Sequence, residues 1–270
     1  MLSPARDVEA AARRLAAAAD RAAVLFDFDG TLAPIVDDPE AAAAPDQVLG
    51  GLAACARRFR RVGVVTGRRP QWVAARLGVL AVDVVGSHGM ERARAGGPVE
   101  VHPLVAPYAE AMAAFAREAE AAAAREGAGV VVEPKAYTVS LHYRTAPDAE
   151  AARAFLGRWA EPAAAAAGLA ARHGRLVLEV RPPVDVTKGT AVAGLVDDPA
   201  IGVALFAGDD TTDLDAFRAL RLLARDGILE EVVLVAAASD EADRRVAAEA
   251  DLVVDGPPGV ARLVELLAQA

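Results

Sequence analysis

Residues 22–35 read AAVLFDFDGTLAPI. Five apolar residues, Ala22 to Phe26, run into Asp27, and Asp29, Gly30 and Thr31 follow at once. A short unbroken apolar run of this kind suits a strand buried on both faces of a parallel sheet. Carboxylates are seldom buried without a partner. Two of them at the end of such a strand therefore imply a polar cleft, and Gly30 a sharp turn. Asp-Gly-Thr also serves as an ordinary turn at a strand exit, so the motif alone leaves both readings open.

The rest of the chain repeats the rhythm. Apolar, β-branched runs at 22–28, 61–65, 82–86, 202–207, 231–235 and 251–254 read as strands. Helical patterns fall near 46–58, 70–77, 188–197, 211–220, 241–248 and 258–268. Strand alternating with helix predicts an α/β fold, a Rossmann-like parallel sheet with helices on both faces. The middle breaks the alternation. A long helix in HPLVAPYAEAMAAFAREAEAAAARE precedes two strands in GVVVEPKAYTVSLHYR. A helical stretch at 147–167 precedes two more, LAARHG and RLVLEVRP, joined at His173-Gly174. This predicts an inserted α+β domain, an antiparallel sheet backed by two helices, at 106–184, within a core of 1–105 and 185–270. Pro103, Pro107, Pro182 and Pro183 punctuate its ends.

The chain has 270 residues, 54% hydrophobic by a count in which alanine weighs heavily, and 25% charged, which is globular in character. A net charge of −9 and a pI near 5.0 argue against broad contact with nucleic acid or anionic lipid. A local cluster of Lys, Arg or metal can still hold an anionic substrate. The single cysteine, Cys55, allows no disulfide within the chain and fits a reducing compartment. Its bland role is a small buried residue, its sharper one a reactive thiol. The opening MLSPARDVEAAARRLAAAADR carries charges every few residues, so it predicts an amphipathic helix rather than a signal peptide or membrane span. A cytoplasmic monomer is expected.

Three predicted strands end in polar residues, at Asp27, Thr66 and Asp209. In an open parallel sheet the carboxyl ends of the strands lie on one edge, where ligands bind, so these residues should converge. Asp209, Asp210, Asp213 and Asp215 lie near the start of a helix. One aspartate there is a cap favoured by the dipole. Four repel one another, and a hard cation such as Mg²⁺ is a natural remedy. Lys188 and Gly189 open another helix, where the cation opposes the dipole and the glycine costs about 1 kcal/mol against alanine. A local rule broken without visible gain points to a functional site.

Asp-x-Asp-Gly-Thr, Thr-Gly-Arg, Lys-Gly and Gly-Asp-Asp-x-Thr-Asp, in that order, resemble the haloacid dehalogenase-like phosphohydrolase superfamily. The resemblance implies that Asp27 is the nucleophile that forms an aspartyl-phosphate. It implies that Asp29 protonates the leaving alcohol and then activates water. Mg²⁺ would be held by the Asp27 carboxylate, the Asp29 carbonyl and Asp209, with Asp213 in support. Thr66 and Lys188 would grip the phosphoryl oxygens.

The insert lies between the threonine and lysine motifs, where a cap could close over a site and read the leaving group. Its strands place polar residues at period two: Glu133 with Lys135; Ser140, His142 and Arg144; Glu179 with Arg181. These are either a solvated face or a hydroxyl-binding surface. GSHGME, VEPKAYTVSLHYR, LEVRPPVDVTKG and GDDTTDLDAF together look like the trehalose-6-phosphate phosphatase family over about residues 20–260. That resemblance implies a Mg²⁺-dependent hydrolase of trehalose 6-phosphate in trehalose biosynthesis. Glu133, Lys135, Arg144 and Glu179 would contact the sugar from the cap and His88 from the core. It also implies a functional link to a trehalose-6-phosphate synthase. Ser87 stands where the family usually has Glu, Leu214 where it has Glu, and Thr66 where it has Ser. None of these changes removes an implied catalytic group, and those at 87 and 214 bear on selectivity. The alternatives are a phosphatase of sucrose phosphate or of glucosyl- or mannosyl-glycerate phosphate, a mutase, and a non-catalytic sugar-phosphate sensor.

Overall fold

The computed structural model describes residues 4–36, 38–78, 81–94, 97–174, 176–240 and 242–269. The first three residues of the expected N-terminal helix, and Arg175 of an expected strand, lie outside the described residues. The chain divides into two compact units, Met1–Glu100 with Val186–Ala270, and Val101–Asp185.

In the first unit, Ala22–Phe26 forms β1, buried along its whole length. Its side chains alternate between two cores. Ala22, Val24 and Phe26 join one, and Ala23 and Leu25 the other. Arg61–Val65 is β2 and Asp83–Gly86 is β3, followed by two short additions, β4 (Glu91–Ala93) and β5 (Val99–Val101). These additions escape sequence reading because three residues carry no usable period, and Glu91 and Arg92 look like loop. Helices α1 (Pro4–Ala17), α2 (Asp46–Arg58) and α3 (Pro70–Leu77) supply Leu15, Leu52 and Val73 to the first core.

The second unit opens with α4 (Ala109–Glu126), then β6 (Val131–Pro134) and β7 (Val139–His142). Next come α5 (Ala149–Phe155), a π-helical stretch (Leu156–Ala160) and α6 (Glu161–Ala166), together one nearly continuous helix. Strands β8 (Ala170–Gly174) and β9 (Val177–Arg181) complete a four-stranded antiparallel sheet of order β6-β7-β9-β8. One face carries Val139, Leu141, Leu178 and Val180, packed with Met112 and Phe115 of α4 and Phe155 of α5. Trp159 stacks between Phe115 and Phe155, its ring centroid 5.8 and 5.7 Å from theirs.

The chain then returns to the first unit through α7 (Lys188–Val196), β10 (Val203–Gly208), α8 (Asp213–Arg225), β11 (Glu231–Ala238), α9 (Arg244–Glu249), β12 (Leu252–Asp255) and α10 (Gly256–Gln269). Helices α7, α8 and α9 cover the second core, and α10 joins the first. Full burial of side chains such as Leu25 and Phe206 contributes about 1.5–3 kcal/mol each. The sheet order is β12-β11-β10-β1-β2-β3-β4-β5, with parallel pairing from β12 to β3 and β4 antiparallel. From β1 the chain first builds outward through β2 and β3, then returns to build the other way from β10. The switch point therefore lies between β1 and β10, where a crevice opens beyond the carboxyl ends of the strands. Among the described residues no helix is long and apolar enough to cross a membrane.

Candidate active site

Asp27 and Asp209 are the first residues beyond β1 and β10, and the Asp27 amide donates to the Ala207 carbonyl at 2.8 Å. Thr66 follows β2 and is tied to β3 by its amide on the Val85 carbonyl at 2.9 Å. Asp27, Asp29, Thr66, His88, Lys188 and Asp209 line one cavity of about 290 Å³, with Ile35, Gly67, Asp210 and Thr212. The convergence expected from three strand ends is therefore present within the first unit.

The turn after Asp27 is built for close approach. Gly30 has a φ of +77°, and a Cβ there would collide with the Asp209 carboxylate. Only glycine satisfies both the left-handed backbone and the lack of space. The buried Thr31 hydroxyl donates to Asp209 Oδ1 at 3.1 Å, which joins the first motif to the last. Gly208 is equally constrained, because a Cβ would run into the Asp213 carboxylate. That carboxylate folds back over the strand end, where Oδ2 accepts from the amides of Asp209 and Asp210 at 3.0 Å each.

Lys188 sits in the middle of this charge. Its Nζ donates to Asp27 Oδ1 and Asp213 Oδ1, both at 2.7 Å, and its side chain is 3% exposed. The cation tolerates the first turn of α7 because these carboxylates outweigh the dipole. Thr187 closes a capping box with Thr190, and Gly189 lets α7 approach the Asp215 carbonyl of α8, where a Cβ would lie at 2.6 Å. Burial opposes the lysine charge, but Asp213 and Asp27 prevail and hold its pKa above the ordinary value. Burial pushes the Asp27 carboxyl well above its usual range, Lys188 pulls it down, and Asp213 and Asp209 push it further up. Asp209 is pushed to about 7, by burial first and then by Asp213.

These residues fit a hard cation. Ligand oxygens of Asp27, Asp209 and Asp213 lie within 4.8 Å of one another, all buried. Asp213 already has Lys188 and two amides, so its natural part is support. Asp27 has one oxygen outside its lysine bond. Four aspartates line the cavity against one lysine among the described lining residues, so an added anion needs another positive charge. The expected acidic cluster thus separates. Asp209 and Asp213 are buried, Asp210 is exposed, and Asp215 faces Arg218 at 3.6 Å.

Sequence reading singled out Thr66 in Thr-Gly-Arg and passed over Arg68. Its Nε and Nη2 donate to the two Asp29 oxygens at 2.8 and 2.7 Å. A guanidinium two residues past a strand-end threonine was the available signal. His88 belongs to an unusual turn, in which Ser87, His88 and Gly89 all have positive φ. The amides of Ser87 and His88 donate to the carbonyls of Arg68 and Thr66 at 2.8 and 3.0 Å, which fastens this turn to the threonine loop.

In the second unit, Glu133, Ser140, His142, Glu179 and Arg181 share the sheet face opposite the core, as the ladder register requires. Lys135 follows β6, with Nζ 3.3 Å from Glu133. His142 Nε2 lies 2.9 Å from the same carboxylate oxygen, Oε2. Its hydrogen bond is the main reason the Glu133 pKa falls to about 2, with Lys135 adding to it against burial. Arg144 departs from the period-two expectation. The strand stops at His142, and Arg144 lies exposed in the turn that follows. Cys55 is fully buried in α2 and burial pushes its thiol to about 11, so the structural role holds and the reactive one does not.

A family model described as trehalose-phosphatase matches residues 25–251. The chain belongs to the trehalose-phosphatase family. A trehalose-phosphate phosphatase of Mycolicibacterium paratuberculosis is 37% identical over 262 residues, covering 91% of this chain. The chain spans 62% of that relative's length. A solved trehalose-6-phosphate phosphatase related protein shares the fold with a TM-score of 0.72 at 22% identity, over 91% of this chain and 96% of its own. The Aspergillus fumigatus trehalose-6-phosphate phosphatase is similar with a TM-score of 0.62 at 26% identity, over 97% and 98%. This family member has a large, mainly parallel sheet in one unit and a separate four-stranded antiparallel sheet in the other.

Proposed function

We propose that this chain is a phosphoric monoester hydrolase that converts trehalose 6-phosphate to trehalose and phosphate. The observation that carries the reading is the buried Lys188, which bridges Asp27 and Asp213 at the switch point beside Thr66 and Asp209. Asp27 is the nucleophile. Lys188 opposes the tendency of burial to protonate it, and its second oxygen attacks phosphorus. As the bond from phosphorus to the sugar oxygen breaks, Asp29 gives that oxygen a proton and trehalose leaves. The Asp29 carboxylate then takes a proton from water as the water attacks the aspartyl-phosphate. Phosphate leaves and Asp27 is restored. Thr66 and Lys188 hold the phosphoryl oxygens as charge shifts across them.

Mg²⁺ would be held by Asp27, the Asp29 carbonyl and Asp209, with Asp213 in support, and would neutralise the phosphoryl charge that four lining aspartates oppose. The 106–184 insert is the cap domain in this reading. Glu133, Lys135, Arg144 and Glu179 recognise sugar hydroxyls from it, and His88 does so from the core. The supply of substrate by a trehalose-6-phosphate synthase, and a cytoplasmic monomer, belong to the same proposal.

The test is phosphate release from a panel of sugar phosphates with Mg²⁺ and with EDTA, and with Asp27→Asn as control. Release that prefers trehalose 6-phosphate, needs Mg²⁺ and vanishes in the variant is expected. Preference for another sugar phosphate would overturn the cap assignment, and no release by folded protein would overturn the hydrolase.

A further inference from the structure

Asp29 is not held by its own turn alone. Arg68 reaches it from the loop after β2 and takes both carboxylate oxygens in a fork, at 2.8 and 2.7 Å. The guanidinium is itself mounted. Its Cζ lies 4.4 Å from the centroid of the Trp72 ring, and Arg76 lies 3.4 Å from the same centroid. The Trp72 indole N–H donates to Glu40 Oε2 at 2.7 Å, and Arg76 donates to the Glu40 carbonyl at 2.7 Å. The Trp72 ring also meets Phe28 edge-on, with centroids 5.8 Å apart. Phe28 is the residue between the two aspartates, so the chain of contacts closes on itself: Asp29, Arg68, Trp72, Phe28 and back to Asp29.

We propose that Arg68 is the positioning residue for the Asp29 carboxylate. In this role it orients the acid and base of the hydrolysis, with the Trp72 stack as its mount. The proposal rests on the reading of Asp29 as that acid and base. A carboxylate offers about four lone-pair sites, and a bidentate arginine occupies two of them. The other two are left at a fixed angle for the ester oxygen and the water. The Asp29 side chain is 32% exposed and the Arg68 side chain 21%. This part-buried fork fixes the direction of the carboxylate as well as its charge. Small displacements of a proton donor cost about a hundredfold in rate.

Leaving-group dependence separates positioning from mere support. A p-nitrophenolate leaves with little help from an acid, whereas a phenolate needs a proton more. The kcat/KM of an aspartyl-phosphate enzyme reports the step in which the ester oxygen leaves. The experiment measures kcat/KM for a series from p-nitrophenyl to phenyl phosphate, in wild type, Arg68→Ala, Arg68→Lys, Asp29→Asn and the Arg68→Ala/Asp29→Asn double variant. Thermal melts confirm that each is folded.

Arg68→Ala is expected to lose under about tenfold with p-nitrophenyl phosphate and about a hundredfold with phenyl phosphate. That steeper slope should match Asp29→Asn. Arg68→Lys keeps the charge without the fork and should recover only part of the loss. The double variant should fall no further than Asp29→Asn alone, since both changes remove one function. A loss equal across the series, or a rise in KM alone, would overturn the proposal in favour of support or direct substrate binding. So would losses that multiply in the double variant. Absence of phosphate release by the wild type would sink the hydrolase reading itself, a result distinct from an active wild type whose slope is unchanged by Arg68→Ala.

Discussion

Lys188→Met is the sharpest perturbation of the buried charge. In wild type one ammonium, 3% exposed, makes two bonds of 2.7 Å to carboxylates whose side chains are 6% and 0% exposed. Methionine matches the length of the stem but not the charge, so Asp27 and Asp213 lose their shared cation. Removing one partner from a buried ion pair costs about 3–5 kcal/mol. Domains of 150–250 residues lose about 2–4 °C of Tm per kcal/mol. Together these give a fall of about 6–20 °C, measured by circular dichroism on metal-free protein in EDTA. Added Mg²⁺ should raise the Tm of the variant more than that of wild type, because the cation then meets carboxylates with no lysine to compete. Phosphate release should drop by at least about a hundredfold, as when an electrostatic stabiliser is removed. A variant within about 1 kcal/mol of wild type in EDTA would refute the claim that Lys188 is the charge on which these carboxylates depend.

Further outcomes follow from the same geometry. Gly30→Ala places a methyl group against Asp209 at a positive φ, and should cost about 1–2 kcal/mol in stability and at least about tenfold in kcat. Melts and initial rates check both. Cys55 should resist a thiol reagent in native protein at pH 8 and react fully once unfolded in guanidinium, since its thiol is buried and titrates near 11. Glu133 should titrate near 2 in carboxyl-detected NMR and move up toward 4.5 in His142→Ala, which removes its strongest partner. Because the folded pKa is depressed, that pair favours the native state above about pH 4.5. The contribution is lost as pH falls through about 2, and it is small because the side chain is half exposed.

Much of the fold was legible because its strands are long apolar runs and its helices strongly periodic. AAVLF, RVGVV and VALFAG announce themselves, and their polar exits at Asp27, Thr66 and Asp209 predicted one shared edge. The short β4 and β5 were not legible, since their pairing comes from the sheet and not from their own composition. Site residues were readable where the sequence broke a local rule, as at Lys188-Gly189. The structure supplies the reason: a lysine between two carboxylates and a glycine against the next helix. Arg68 was hidden because its partner lies 39 positions away and a surface arginine needs no explanation. On the sheet face of the second unit opposite its core, period two grouped Ser140 with His142 correctly. It failed at Arg144, where the strand had already ended.

The central claim is that Asp27 carries the phosphoryl group in passing. The most direct measurement is an acid quench of Asp29→Asn protein, within a single turnover of p-nitrophenyl phosphate, whose leaving group needs little help from an acid, followed by peptide mass mapping. Loss of the base should slow hydrolysis of the intermediate. One phosphoryl group on the peptide containing Asp27, absent from Asp27→Asn, is the predicted result. Phosphate release with no phosphorylated protein at any time, or a phosphoryl group mapped to another residue, would contradict it.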